Sequence, residues 1–511
     1  MGELRLVPAA LTVWAAALLI LLTGQGWPAG VLVAAVGIGV ALLRQPGQAV
    51  LVVALGGAVA LMTGLRAGRA EAVVFPEQLT GVLRTAAGDT STGGGILRLT
   101  VPGHAAQLTV FTEEAPEALP AGTTVHLDVT YSESSTPGLT PVVGNAEILA
   151  TAPPTGWAAT AAHIKETFAA AVRAAVAGEH RGLIPGMVLG DTSLQDAVAR
   201  DLYVDTGLSH LSAVSGSNVT IVTTAAIMLC RALGIGPRLQ TGVAALALLG
   251  FVALVGTEPS VLRAAVTGLV GLAAVLGSAH MEPVHALCLA VIVLVAVDPD
   301  LAVSWGFALS VAATAGIVVL TPLLTRPLAR TRLPLLVVRS LAVSLAADIV
   351  TAPLIALMAG EVSLVAVIAN VLVSPVTAPV TVLGLIAAAL ALLPGPGAGL
   401  LLQVIAPLTW WIHASAETLT ALPVVTVPAD PLWVILGYGW VIAALLAGRT
   451  RVLLITAAVG LAGYIGITPA SPPIPLEELV VHRVDDPAEI DTAPPGRVSH
   501  DDHLGAGRPA D

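Results

Sequence analysis

Charge is scarce in this chain. Of 511 residues only 11% are Asp, Glu, Lys or Arg, and there is a single lysine, Lys165. A soluble chain carries about 25% charged residues, so a soluble globular protein is excluded. The net charge is −11, which argues against a broad electrostatic grip on nucleic acid, because phosphate contacts need Lys and Arg in number. Cysteine is nearly absent. Cys230 and Cys288 both lie in apolar runs, so no disulfide staples a soluble part and no zinc site is built from thiolates.

What is plentiful is hydrocarbon. The chain is 56% hydrophobic, with a mean hydropathy of +0.90. A helix needs ~20 apolar residues to span a bilayer, and the runs present predict a polytopic α-helical membrane protein with about 11–13 transmembrane segments. Spans are expected near 8–23, 29–43, 48–65, 208–231, 239–256, 260–278, 284–297, 303–323, 335–358, 362–394 (interrupted), 431–447 and 452–468. Residues 396–424, with Trp410, Trp411 and His413, read as an interfacial helix or a further span. The first run has no small-residue cleavage site and two spans follow it, so it is a span and not a removable signal.

The predicted organisation is therefore N-terminal spans over 1–66, a β domain over 67–155, amphipathic interfacial helices over 156–207, a helical membrane domain over 208–470 and an acidic disordered tail over 471–511. The β domain rests on alternating segments, "GGILRLTVPG" (94–103), "AQLTVFTE" (106–113) and "TTVHLDVTY" (123–131). Such strands between turn residues make a small barrel or sandwich. In "WAATAAHIKETFAAAVRAAV" (157–176), Trp157, Ile164, Phe168 and Val172 recur at helical spacing. Thr192 and Gln195 read as a capping box. The tail has nine Asp/Glu against three Arg, a composition that does not pack a core.

Basic residues set orientation. The loop "TRPLARTRLPLLVVR" (325–339) holds four arginines, and Arg5, Arg44, Arg231, Arg238, Arg449 and Arg451 fall on the same side, making ten of the 22 basic residues. That side is cytoplasmic, which puts the β domain outside. The parity requires the interrupted segment to cross an even number of times.

Ionisable and amide groups inside the apolar runs are His210, Asn218, Arg263, Asp348 and Asn370. An Arg or Asp at a helix centre costs roughly 2.5–3.5 kcal/mol and faces protein or water. Breakers coincide with them in "VGTEPSVLRAA" (255–265) and "IANVLVSPVTAP" (368–379), the latter with Pro375. Broken backbone at membrane depth is buried in protein or lines a cavity, and half-helices aim free ends at polar cargo. "HLSAVSGSNV" (210–219) then supplies a polar wall, with Ser215 and Gly216 at its centre. Each residue also has an ordinary reading. Ser212, Ser215 and Gly216 serve helix packing, His210 an interface, and Asn218 an interhelical hydrogen bond. Arg263 snorkels or pairs with Glu258, and Asp348 is its counter-charge. Together the group reads as a polar path through the bundle.

"GLIPGMVLGDTSL" (182–194) followed by "TGLSHLSAVSGSNVTIV" (206–222) resembles the signature of the ComEC-type competence DNA-uptake channel family. Further matches follow in order: "PSVLRAAVTGLVGLAAVLGS" (259–278), "DPDLAVSWGFALSVAATAGI" (298–317) and "AADIVTAPLIALMAGEVSLVAVIANVLVSPV" (346–376). The resemblance covers about 155–395. It implies an OB-fold-like domain outside the membrane and passage of one DNA strand across the cytoplasmic membrane. It marks His210, Ser215, Gly216, Asn218, Arg263, Asn370 and Pro375 along the path, with Asp348 in a motif position, and Asp191, Phe307 and Ser310 as structural motif positions.

Departures follow. The family's histidine after the Ser-Gly pair is Asn218 here, which cannot titrate near neutrality. Its Gln in the fourth motif is Asp348. The stretch 71–155 has two Arg against nine Asp/Glu, and its rings are Phe75, Phe111 and Tyr131, whereas single-strand binding wants a basic groove and stacking rings. Many family members carry a C-terminal metallo-β-lactamase-like domain, which this chain is expected to lack. "SHDDHLGAG" (499–507) is similar to the second half of that domain's metal motif, through His500, Asp502 and His503, and reads as chance or as a remnant.

Two functions remain open: a single-stranded DNA channel of natural transformation, or a small-solute or lipid transporter or membrane scaffold on the same fold. A hydrolase is disfavoured, since "SGSN" is no nucleophile elbow. The chain is thus expected not to be an enzyme, with no catalytic residue, no metal site and no cofactor. Expected partners are single-stranded DNA, membrane lipids, a helix-hairpin-helix DNA receptor and, as the sequence has no Walker motif, a cytoplasmic ATP-driven motor.

Overall fold

The computed structural model describes residues 5–89, 94–104, 107–114, 116, 119–276, 282–331, 333–422 and 425–447. All belong to one compact unit, Met1–Leu454. The span expected at 452–468 and the tail with "SHDDHLGAG" lie outside the described residues.

Three helices come first: α1 (Val7–Thr23), α2 (Trp27–Leu42) and α3 (Pro46–Glu71). Each has a proline in its first turn, where the missing N–H leaves no bond unmade. Arg66 of α3 donates to the carbonyls of Ala296 and Val297 at 3.0 and 2.7 Å, so this cation covers free carbonyls at another helix's C-terminus.

The strands are β1 (Gln78–Leu83), β2 (Gly88–Asp89), β3 (Gly95–Thr100), β4 (Gln107–Thr112), β5 (Thr124–Glu133) and β6 (Val142–Ala152). Alternation drives one face inward, with Leu79, Leu83, Leu97, Leu99, Leu108, Val110, Val125, Leu127 and Val129 forming one core. β1 pairs with both β5 and β3, β3 with β4, and β5 with β6, all antiparallel. β4 runs parallel to β6. The five longer strands therefore close into a barrel, and closure removes the exposed edges.

Next come α4 (Gly156–Ala175), a 3-10 turn (Glu179–Gly182), α5 (Leu183–Leu189), α6 (Ala197–Asp205) and a second 3-10 turn (Ser209–Leu211). The amphipathic helices expected over 156–207 are α4 and α6, and α5 lies between them. All seven residues of α5 are buried. Phe168 and Val172 of α4 join α5 in the largest core, while Trp157 is 53% exposed. The cap of α6 is Asp196, whose carboxylate accepts from Ala199 N at 2.7 Å, and not the Thr192–Gln195 box. Gln195 is buried instead, lying against Gly182 and Gly186.

The remaining elements are α7 (Gly216–Ala232), α8 (Pro237–Val255), α9 (Pro259–Leu276), α10 (Pro283–Val297), a 3-10 turn (Pro299–Val303), α11 (Trp305–Leu328), α12 (Leu335–Ala359), β7 (Glu361–Ser363), α13 (Ala366–Ala391), α14 (Gly397–Thr420), β8 (Thr426–Pro428) and α15 (Pro431–Leu446). Among the described residues seven helices are long and apolar enough to cross a membrane, and five shorter apolar helices accompany them. The chain is a polytopic helical membrane protein with a small β domain.

The expected interruption in 362–394 is absent: α13 is one helix with Pro375 and Pro379 inside it. Pro375 leaves the Val371 carbonyl without its helical donor, and Ser374 Oγ donates to that carbonyl at 3.1 Å. A serine thus restores what the proline removed. Residues 397–420 form a second full helix, and β7 pairs with β8. The α13–α14 excursion consequently returns the chain to the place it left, so the even parity needs no broken helix.

α11 and α12 cross closely at Gly316, where an added Cβ would overlap Ala346 O and Val350 Cγ2. Gly316→Val is expected to cost about 1–3 kcal/mol through overpacking, read as a lowered Tm in detergent. Gly57→Val, with no atom within 4 Å of the added Cβ, is the matched control and should leave Tm unchanged.

Candidate functional site

The break between α8 and α9 brings a cation to the start of α7. α8 ends at Val255 and α9 begins at Pro259. One helical turn on, about 6 Å along the axis, lies Arg263. Its Nε donates to Ser310 Oγ of α11 at 2.8 Å. Its Nη2 lies 3.2 Å from where a Cβ at Gly216 would sit, and Ala264 Cβ is equally close. Gly216 is the first residue of α7, with Ser215 as N-cap accepting from Ser217 N at 3.3 Å. Ser260 Oγ ties α9 to the Val214 carbonyl at 3.0 Å. A side chain at Gly216 would press on both the guanidinium and Ala264 of α9.

The counter-charges expected for Arg263 are not there. Among the described residues no carboxylate lies within 4.0 Å of it. Asp348 of α12 accepts instead from Tyr438 OH of α15, and Glu258 is exposed. The guanidinium is half-buried beside the N-terminal turn of a helix, where the peptide dipoles place partial positive charge. Two positive features share this place, and no carboxylate of the described residues pairs with the guanidinium.

Asn218 does not face a path. It is 1% exposed, and its Nδ2 donates to the Met187 carbonyl of α5 at 2.7 Å. It is the interhelical bond of the ordinary reading, locking α7 onto the buried α5. A histidine is not needed for that bond, since an amide donor suffices. Asp191, following α5, accepts from Ser193 N at 3.0 Å and lies near Lys165. Nζ of Lys165 donates to the Val255 carbonyl at 2.8 Å, closing the C-terminus of α8 at the break. Burial pushes the Lys165 amine down from its ordinary value, while Asp191 and Glu258 push it back up.

The other motif residues are dispersed. Asn370 donates to Ala366 O within its own helix at 2.9 Å, and Pro375 lies in the continuous α13. His210 sits exposed on the second 3-10 turn, 3.2 Å from the Gly207 carbonyl. Phe307 is fully buried, its ring 5.2 Å from that of Trp14. The structure thus gathers Ser215, Gly216, Arg263 and Ser310, and leaves Asp348, Asn370, Pro375 and His210 outside that cluster.

Above the cluster lies a cavity of about 260 Å³ between the barrel and the helix ends. Thr257, Glu258 and Pro259 from the break and Asp298, Asp300 and Ser304 before α11 line one side. Arg84 and Arg98 line the other, and they are the only two basic residues of the stretch 71–155. Arg84 pairs with Asp298 at 3.2 Å, and Asp300 Oδ1 accepts from Leu139 N at 2.7 Å. Composition alone missed this. The available signal was that an acidic domain holds its two arginines on β3 and just after β1.

Burial pushes the Asp300 carboxyl up to about 6 from 3.8, with Asp298 adding to the rise and the Leu139 hydrogen bond and Arg84 opposing it. The folded value lies above the unfolded one, so the proton favours the folded form. That contribution is full below pH 3.8 and is lost as pH rises through about 6. The Tm of the purified protein should carry a component that falls across this window. Asp300→Asn keeps an acceptor for Leu139 N and should flatten that component in a scanning-fluorimetry pH series.

The geometry sits inside a region with known relatives. Residues 187–452 match the family model described as "Competence protein". Over 194 residues the chain is 29% identical to ComE operon protein 3 of Bacillus subtilis (strain 168), an alignment covering 38% of this chain and 24% of that protein. The chain thus matches about a quarter of that relative's length. No solved structure matches. With the family model covering more than half of its length and all of the Gly216–Arg263–Ser310 cluster, this chain belongs to the Competence protein family.

Proposed function

We propose that the chain conducts single-stranded DNA across the cytoplasmic membrane in natural transformation. The observation that carries this reading is Arg263. It is half-buried beside the first turn of α7, with Ser310 as its hydrogen-bonded neighbour and no carboxylate near it among the described residues. Such a place favours an anion, and a polynucleotide backbone supplies one phosphate after another. A single guanidinium with hydroxyls around it holds each phosphate weakly, as conduction requires. The chemistry is that of a conduit rather than of an enzyme. The match to the family described as "Competence protein" supports a role in competence.

In this reading the barrel is OB-like and lies outside the membrane. The pairing of five strands, with β4 parallel to β6, supports the first point. Arg326 and Arg330 at the opposite end of α11 from the barrel-side cavity support the second. The strand would pass from the cavity lined by Arg84 and Arg98 to Arg263 one turn below. A helix-hairpin-helix receptor would deliver the DNA, and a cytoplasmic motor would pull it. The acidity of the barrel favours a second reading, a small-solute or lipid transporter or scaffold.

Arg263→Leu is expected to cut internalised labelled DNA by about tenfold or more, the scale of one lost charged contact, with membrane abundance near wild type. Gly216→Val should do the same by displacing the guanidinium. Normal uptake in both variants would leave the transporter or scaffold reading standing.

Sidedness is checked separately. With Cys230 and Cys288 replaced, Ser132→Cys on the barrel should react with an impermeant maleimide in intact cells, and Thr331→Cys should react only after lysis. Labelling of Thr331→Cys in intact cells would overturn the orientation.

A further inference from the structure

We propose that Glu179, His413 and Glu417 form a divalent transition-metal site, of the one-histidine, two-carboxylate kind that suits zinc, stapling the turn before α5 to α14. His413 and Glu417 stand four residues apart on α14, so they share one face. Glu179 reaches them from the 3-10 turn Glu179–Gly182. One donor atom from each of the three lies within 4.8 Å of the others.

The distances fit a shared ion and are longer than hydrogen bonds. His413 Nε2 is 3.5 Å from Glu417 Oε1 and 3.6 Å from Glu179 Oε2. An N–H···O bond would draw these to about 2.9–3.0 Å. A tetrahedral zinc with bonds of about 2.0–2.1 Å holds neighbouring donors about 3.3–3.4 Å apart. Nε2 therefore faces both carboxylates at the spacing a shared ion imposes.

The surroundings are those of a metal-bound imidazole. His413 is 6% exposed, and its other nitrogen, Nδ1, lies 2.8 Å from the hydroxyl of Tyr203, itself 1% exposed. Nδ1–H donating to Tyr203 leaves the lone pair of Nε2 facing the carboxylates, and metal-bound histidines are commonly oriented by such an outer partner. The glutamate side chains are 64% and 59% exposed, so water can complete the coordination.

The site lies away from Arg263 and does not depend on what the chain conducts. It would act on α5, the buried helix whose Met187 carbonyl receives Asn218.

The test uses the full chain in detergent, with His500→Ala and His503→Ala to remove the tail as a competing zinc locus. After chelator treatment, titration with Zn²⁺ should give one equivalent bound and a raised Tm. Co²⁺ should give the visible absorption of a four-coordinate site. Glu417→Gln and Glu179→Gln alter exposed side chains and should each weaken binding about tenfold or more, and Tyr203→Phe comparably through the outer partner. His413→Gln should abolish it. No zinc bound in the tail-substituted chain would overturn the proposal and leave His413 beside two glutamates with no ion between them. Zinc binding as tight as wild type in both Glu417→Gln and Glu179→Gln would overturn it as well.

Discussion

A guanidinium held against the positive end of a helix is the constraint on which the membrane domain turns. Arg263 cannot lie in lipid without a large cost, and its neighbours provide for it in a particular way. Ser310 orients it, Gly216 makes room, and the Ser260 bond to Val214 holds the two helix starts together. None of these neutralises it. A structural arginine would be expected to have a carboxylate partner, and Asp348 is spent on Tyr438. Among the described residues Ser310 holds the guanidinium by a hydrogen bond and no carboxylate pairs with it.

The support beneath this place is unusually apolar for a connecting segment. α5 is a short helix between two turns, yet every residue of it is buried. It anchors α7 through the Met187–Asn218 bond and packs against Gly384 of α13. Lys165, the single lysine, closes the C-terminus of α8 at the neighbouring break. These contacts bring α4, α5, α7, α8 and α13 to a common point, so strain in one is felt by the others, as in any close-packed interior.

Electrostatics connect the barrel to the same point. The domain is acidic as a whole, and its charge is not evenly spread. Both arginines face the cavity over the α8–α9 break, where Arg84 meets Asp298. The bulk count is two Arg against nine acids, and at the junction both arginines meet Glu258, Asp298 and Asp300 around one cavity. Field at a cleft depends on where charges sit and on the low-dielectric walls around them.

The sequence by itself determined the class, the order of apolar helices, the strand-rich insert and the family motifs. These follow from local periodicity and composition, because hydrocarbon thickness and backbone hydrogen bonding leave few alternatives in a membrane. It also named Gly216, Arg263 and Ser310. It did not determine which polar residues meet. Asn218 was legible as either wall or bond, and only the position of Met187 makes it a bond. Pro375 reads as a break, yet Ser374 Oγ repairs the helix. Thr192 and Gln195 spell a cap, but Asp196 takes that role because Gln195 is drawn into the core. The pairing of Asp348 with Tyr438, the meeting of Glu179 with His413, and the cavity between barrel and bundle join residues far apart in the chain. Such contacts depend on how helices pack in three dimensions, and tertiary structure alone decides them.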